Sequence, residues 1–271
     1  MNETGQGKLS VVATPIGNLE DITLRALRIL KEADVVACED TRMTKKLLTH
    51  FDIHTPTTSF SAQSGERGFE KIIALLQEGK HVALVSDAGT PGVSDPGLEL
   101  VSKIREKSFL PQRSSDLPGT AKVSGPGARP FASENFFPAE IEVVPGPSAL
   151  AAALSVSGLR AASFTFYGFL PLKKGRETLF KEIGASGRAS VFYESPHRIM
   201  KALESLQKHL GDPSFAKATQ SKPRRVGTFR ELTKIYEEHV VGSIDEVLEH
   251  FKTNPDRIRG EFVVIVEGLD A

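Results

Sequence analysis

Residues 84–97 read LVSDAGTPGVSDPG. The apolar and small residues at the start suit a strand, and a helical pattern resumes only around Leu98. Between them runs a loop with three glycines, two prolines and two aspartates. Strand-to-helix connections in compact domains usually take two to about six residues. This one is longer, acidic and stiffened by proline, as expected of a loop shaped to hold a ligand.

The strand–loop–helix alternation extends outward from that stretch. LSVVAT (9–14), DVVACE (34–39), HVALVS (81–86) and IEVVPG (141–146) read as buried strands. ITLRALRILKEA, TKKLLTHF, FEKIIALLQEGK and LELVSKIREK carry helical patterns, the first with Leu24, Leu27 and Leu30 on one face. Asp21 is the expected N-cap of that first helix, and Gly79 the C-terminal stop of the third. Ser148 is placed to cap the alanine-rich helix SALAAALSVSG. In the second half FTFYGFL, ASVFYES and EFVVIVEG repeat the strand style, with RETLFKEI, HRIMKALESLQKHL and IDEVLEHF as helices. β-Branched strands separated by helices predict an α/β fold, a mainly parallel sheet with helices on both faces. The expected domains are residues 1–158 and 159–271, divided after the alanine-rich helix.

Two stretches break the pattern. Residues 111–138 hold twelve Pro, Gly or Ser in 28 positions, and 213–226 are similar and basic, so both read as flexible surface insertions. Thirty-four Lys and Arg balance 34 Asp and Glu, which argues against a bulk electrostatic grip on nucleic acid but leaves room for a local basic patch. A single cysteine, Cys38, rules out an internal disulfide and suits a reducing cytoplasm. Neither a signal-peptide core nor an apolar run of membrane-spanning length is present in the sequence.

Three Gly/Pro loops follow strands of the first half: ATPIGN (13–18), SDAGTPGVSDPG (86–97) and VPGPSA (144–149). Ligands of open α/β sheets sit outside the carboxyl ends of the strands, so the three loops point to one shared site. The dinucleotide and P-loop fingerprints are both missing, and the 86–97 loop is acidic where a phosphate cradle would be neutral or basic. Carboxylates and exposed carbonyls suit a cationic, hydroxyl-rich ligand such as an adenosine joined to a sulfonium.

The blocks VATPIGNLEDITLRALRILKEADVVACEDTR (12–42), LVSDAGTPGVSDPG (84–97), VVPGPSALAAALSVSGL (143–159), FYGFLP (166–171), FYESPHR (192–198), RELTKIYEE (230–238) and GEFVVIVEG (260–268) occur in order over most of the chain. Together they resemble the tetrapyrrole methylase superfamily and, through PIGNLEDITLRAL, CEDTR and YESPHR, its members that act on small-subunit ribosomal RNA. The resemblance implies S-adenosyl-L-methionine bound in a cleft between two α/β domains. It also implies 2′-O-methylation of a cytidine in the decoding region of the small-subunit RNA, free or assembled, by a cytoplasmic homodimer.

Carried over by position, Thr90 and Val93 line the methionine and ribose side of the cofactor, and Asp87, Ala88 and Gly89 form its backbone and carboxylate wall. Ser148 and Ala149 receive the cofactor carboxylate at a helix N-terminus. Tyr193, Leu232 and Gly260 contact the adenine, and Pro15 lies against the same site. Glu39, Asp40 or Asp87 is the expected proton acceptor for a ribose hydroxyl, with Arg42 on a phosphate or orienting those carboxylates. Two alternatives stand beside this reading: a porphyrin- or corrinoid-ring methyltransferase, and an inactive RNA-binding protein that keeps the cofactor. The second arises because SFSAQSGER (59–67) stands where the RNA-acting members carry a His- and Asn-containing segment, and because many of them continue into a basic tail.

Lys173, Lys174 and Arg176, and separately Arg42, Lys45 and Lys46, form basic clusters that suit phosphates or, equally, solvated helix ends. His50 and His54 lack a third partner for a metal, and Cys38 reads as a buried small hydrophobe.

Overall fold

The computed structural model describes residues 6–60, 65–108, 139–210 and 224–269. Residues 111–138, most of 213–226 and the centre of SFSAQSGER lie outside the described residues. The chain forms two compact units: Met1–Thr14 with Asp21–Gly146, and Pro15–Glu20 with Pro147–Ala271. The sequence boundary at 158 differs because the helix Ala149–Val156 packs its buried Ala153 with Val263 and Ile265 of the last strand.

The first unit holds five parallel strands: β1 (Gly7–Val12), β2 (Val35–Cys38), β3 (Thr57–Ser59), β4 (His81–Leu84) and β5 (Ala139–Val144), in the order β3-β2-β4-β1-β5. Helices α1 (Leu24–Glu32) and α2 (Thr41–His50) share one core cluster, and α3 (Gly65–Gln77) and α4 (Gly97–Ser108) another. That split follows from strand order. Connections leaving β1 and β2 run toward β3, while those leaving β3 and β4 run the other way, so right-handed crossovers put the two helix pairs on opposite faces. The loop after β4 therefore turns to one face while both flanking loops, after β1 and β2, turn to the other. A strand end with such neighbours opens the crevice in which sheets of this type bind ligands.

Local chemistry sets the helix ends. Thr23, not Asp21, caps α1, its Oγ1 accepting the Ala26 N–H at 3.0 Å. The face that α1 buries is Ala26, Ile29 and Leu30; Leu24 is 87% exposed, which corrects the expected Leu24–Leu27–Leu30 stripe. At the end of α3, the Gly79 N–H donates to Leu76 O and the Lys80 N–H to Leu75 O, with Gly79 at φ +77. This is the double bond that ends a helix on a left-handed residue, which glycine adopts without steric cost.

In the second unit, β6 (Phe164–Phe169), β7 (Ala189–Glu194), β8 (Val226–Arg230), β9 (Glu238–Gly242) and β10 (Phe262–Val266) lie in the order β6-β7-β10-β8-β9. Only β6 and β7 are parallel; β10 runs antiparallel to β7 and β8, and β9 antiparallel to β8. The expectation of a mainly parallel sheet therefore holds for the first unit alone. Central β10 alternates cleanly. Phe262, Val264 and Val266 join α6 (Arg176–Ala185), α7 (Ile199–Leu210) and α8 (Ile244–Thr253), whereas Val263 and Ile265 join α5 (Ala149–Val156). At the start of α8, the Ser243 hydroxyl accepts from the Glu246 N–H while the Glu246 carboxylate accepts from the Ser243 N–H, a reciprocal capping box.

Two buried carboxylates organise this unit. Glu267, wholly buried, pairs with Arg225 at 2.8 Å, and the neighbouring Arg224 guanidinium donates to Glu267 O, Gly184 O and Ile183 O. Arg224 and Val226 are buried, and Arg225, though exposed, is tied to the buried Glu267 carboxylate, which corrects the reading of 213–226 as surface insertion for its last three residues. Glu194, also wholly buried, pairs with Arg176 at 2.6 Å and Arg198 at 2.8 Å. Glu194→Gln leaves two largely buried guanidiniums without their counter-charge. It is expected to cost on the order of 3 kcal/mol, read as a lowered melting temperature.

Candidate functional site

The loop after β4 is fastened on both sides to the loops that diverge from it. Toward β1, Thr14 and Gly89 exchange backbone bonds, Thr14 N–H to Gly89 O at 2.9 Å and Gly89 N–H to Thr14 O at 3.1 Å. Gly89 is buried at φ +82, a conformation in which a side chain would be strained. Toward β2, the Asp40 N–H donates to the Asp87 carboxylate at 3.0 Å, and the Asp87 N–H donates back to the Glu39 carboxylate. The far end is pinned by Asp95, whose carboxylate accepts the Gly92 N–H at 2.8 Å and the Gly97 N–H at 2.7 Å before α4 begins. Within this frame Asp87 and Ala88 are exposed and Thr90 and Val93 half-buried. The third loop joins through Ala13, whose N–H bonds Val144 O at 3.1 Å, and whose methyl would lie only 3.0 Å from a Cβ at Gly146.

The two carboxylates that follow β2 differ sharply. Asp40 caps α2, accepting the Arg42 N–H at 2.8 Å, and holds the Arg42 guanidinium through Nε at 3.1 Å and Nη2 at 2.8 Å. Those bonds bring its pKa down to about 2, so at neutral pH it is ionised and a weak base. Glu39 goes the other way. Burial, then the negative charges of Asp87 and Asp95, raise it to about 7. A carboxyl poised there exchanges a proton near neutrality. Cys38, one residue earlier, is fully buried with Sγ directed to Thr58 O at 3.7 Å, and burial pushes its thiol up.

In the second unit three of the sequence candidates share one cluster. Ala149, Leu232 and Tyr193 pack together with Ala153, Phe166 and Phe229. Ser148 is the N-cap of α5 but makes no side-chain cap; its hydroxyl bonds Tyr193 instead, and the Tyr193 hydroxyl accepts the Leu150 N–H. The cap expected from Ser148 is thus supplied by Tyr193, a substitution that sequence spacing does not reveal. Burial raises the Tyr193 hydroxyl above its ordinary range. Gly260 lies beside the Glu231 side chain, in contact with the residue preceding Leu232. Pro15, half-buried, belongs with this unit rather than with the strand it follows. Of the basic cluster read at 173–176, Arg176 is consumed by Glu194, which leaves the two lysines.

Among the described residues, no group of three or more His, Cys, Asp or Glu side chains is disposed to hold a metal ion, and no helix is long and apolar enough to cross a membrane.

Comparison with known proteins bears on this arrangement. The family model for tetrapyrrole (corrin/porphyrin) methylases matches residues 8–109 and 118–248. Curated relatives named ribosomal RNA small subunit methyltransferase I include one from Thermotoga maritima, 37% identical over 97% of this chain and 100% of its own length. One from Halalkalibacterium halodurans is 42% identical over 97% of this chain and 76% of its own. Among solved structures, uroporphyrin-III C-methyltransferase from Thermus thermophilus complexed with S-adenyl homocysteine covers 97% of this chain and 98% of its own at TM-score 0.57 and 19% identity. The methyltransferase CobJ covers 97% and 95% at TM-score 0.59 and 18% identity. The solved structures share the fold, and the sequence relatives share far more of the residues. The chain belongs to the tetrapyrrole (corrin/porphyrin) methylase family, in the group whose members are named ribosomal RNA small subunit methyltransferase I.

Proposed function

We propose that this chain transfers a methyl group from S-adenosyl-L-methionine to the 2′-hydroxyl of a cytidine ribose in the decoding region of small-subunit rRNA, free or within the assembled subunit. It works as a cytoplasmic homodimer in this reading. The relatives at 37–42% identity carry that substrate class in their name, whereas the ring-methylating neighbours stand at 16–19%. The acidic loop fits the cofactor. Exposed Asp87 beside the backbone of Ala88 and Gly89 suits a sulfonium and ribose hydroxyls, with Thr90 and Val93 on the methionine side. Ser148 and Ala149 take the carboxylate, Tyr193, Leu232 and Gly260 the adenine, and Pro15 completes the set. When bound, the cofactor supplies an electrophilic methyl group.

The observation that carries the reading is Glu39, held by the Asp87 N–H with its pKa near 7. Its carboxylate takes the proton from the 2′-hydroxyl as that oxygen becomes the nucleophile, while Arg42, 87% exposed at its side chain, meets a neighbouring phosphate. Asp40 orients Arg42 and does not accept the proton.

The test is transfer of label from methyl-labelled cofactor to small subunits lacking the modification, followed by mapping of the nucleotide. A labelled ribose hydroxyl is the expected result. Label on a porphyrinogen with none on RNA overturns the proposal, and cofactor binding without any transfer points to the inactive RNA-binding alternative.

A further inference from the structure

The connection from β6 to α6 is a short exposed loop held with unusual firmness. Leu170 is buried at 2% exposure, and the residues from Pro171 to Gly175 all face solvent. The loop carbonyls are gripped from beneath: Arg198 Nη1 donates to Leu170 O at 3.0 Å, and Arg176 Nη1 to Pro171 O at 3.2 Å. Both guanidiniums are fixed by the one wholly buried carboxylate of Glu194, whose Oε1 also accepts the Ser195 N–H at 2.8 Å. A buried ion triad that spends its hydrogen bonds on loop carbonyls makes a rigid platform out of a segment that would otherwise move.

What the platform displays is specific. Leu172 is 76% exposed and Phe169 47%, with Lys173 and Lys174 beside them. The next acidic residues along the chain are occupied elsewhere: Glu177 by Lys208 at 3.1 Å and His209 at 2.8 Å, Glu182 by the Tyr167 hydroxyl at 3.0 Å, and Glu194 by the two arginines. The platform also adjoins the proposed cofactor residues, since the Phe169 and Tyr193 rings lie 5.3 Å apart. Two ammonium groups with no ion-pair partner among the described residues, next to an exposed ring and an apolar side chain, match a single RNA strand, with phosphates on the lysines and a base against the apolar pair.

We infer that residues 169–174 form the docking platform for the substrate RNA strand, with Glu194 as its positioning residue. This rests on the rRNA reading proposed above. The inference is tested with the double variant Lys173→Ala/Lys174→Ala, which leaves the buried triad intact. The probes are transcribed small-subunit rRNA and purified unmethylated small subunits. The variant is expected to bind rRNA on the order of tenfold more weakly and to lower the salt slope of log K by about 1.4, two phosphate contacts on a single strand. KM for the RNA rises, while kcat at saturation and the calorimetric affinity for S-adenosyl-L-methionine stay as in the unaltered chain. Glu194→Gln, assayed below its lowered melting temperature, should raise the same KM without moving the cofactor affinity.

An unaltered chain that methylates rRNA, beside a variant with unchanged KM and salt slope, overturns the platform and spares the functional reading. Loss confined to assembled subunits, with naked rRNA bound normally, assigns the loop to a ribosomal protein and overturns the RNA assignment. An unaltered chain with no affinity for either rRNA or small subunits removes the reading and the platform together.

Discussion

Glu39→Gln is expected to lower kcat for methyl transfer by about 10²–10⁴-fold, the usual contribution of a positioned general base. Cofactor affinity should change little, because the Gln carbonyl still accepts the Asp87 N–H that Glu39 now accepts. The unaltered chain should gain activity as pH rises through about 7, where Glu39 loses its proton, and then level off. The variant's residual rate should lack that step. Stability moves the opposite way. An unfolded Glu ionises near its ordinary 4.5, whereas the folded one holds its proton to about 7, so the folded state binds more protons between those values. The unaltered chain therefore loses stability as pH climbs from about 4.5 to about 7, and Glu39→Gln does not. The variant should melt higher than the parent at pH 8 and together with it at pH 4.5. A variant that is both nearly inactive and more stable at high pH is hard to explain by misfolding. A flat parental profile between pH 5.5 and 8.5, or a kcat loss of only a fewfold, would remove Glu39 as the base.

Asp40→Asn is the control. It takes away the charge that holds Arg42 through two guanidinium bonds and leaves Glu39 in place. The pH midpoint should stay near 7 while KM for the RNA rises.

Why Glu39 rather than its neighbour was not decidable from CEDTR alone has a physical reason. Adjacent carboxylates on a strand end look alike in sequence. What separates them is a cap bond within the next helical turn for Asp40, and for Glu39 the approach of Asp87 and Asp95 from another loop. The first is local and the second is not. The same division runs through the fold. The Gly79 stop and the tight end of LVSDAGTPGVSDPG at Asp95 are legible because each is closed by residues a few positions apart. The direction of β10 was not: FVVIV is buried on both faces, and such a run reads identically in a parallel or an antiparallel sheet. β8 and β9, five residues each, offer little periodicity, and β8 starts at the end of a basic stretch that reads as loop. Its arginines are intelligible only once Glu267, about forty residues later, is seen beneath them.

Thr90→Arg is expected to abolish binding of S-adenosyl-L-methionine, with affinity in calorimetry falling by at least about a hundredfold, which corresponds to roughly 2.7 kcal/mol. The expectation follows from how little the loop can yield. Gly89, immediately before Thr90, is fixed by two backbone bonds to Thr14, and Pro91, immediately after, is buried. Gly92 is then tied to Asp95, so the backbone on both sides of position 90 is anchored and a long side chain cannot be accommodated by moving the loop. The added guanidinium also brings positive charge to a wall whose acidic character suits a cationic sulfonium, so sterics and electrostatics act in the same direction. Thr90→Ser serves as the counterpart: it keeps the hydroxyl and the volume near the parental value and should bind the cofactor within a fewfold. If Thr90→Arg binds as tightly as the parent while melting normally, the half-buried centre of the loop does not face the cofactor. The acidic stretch would then owe its form to joining the strand ends of β1, β2 and β4 alone.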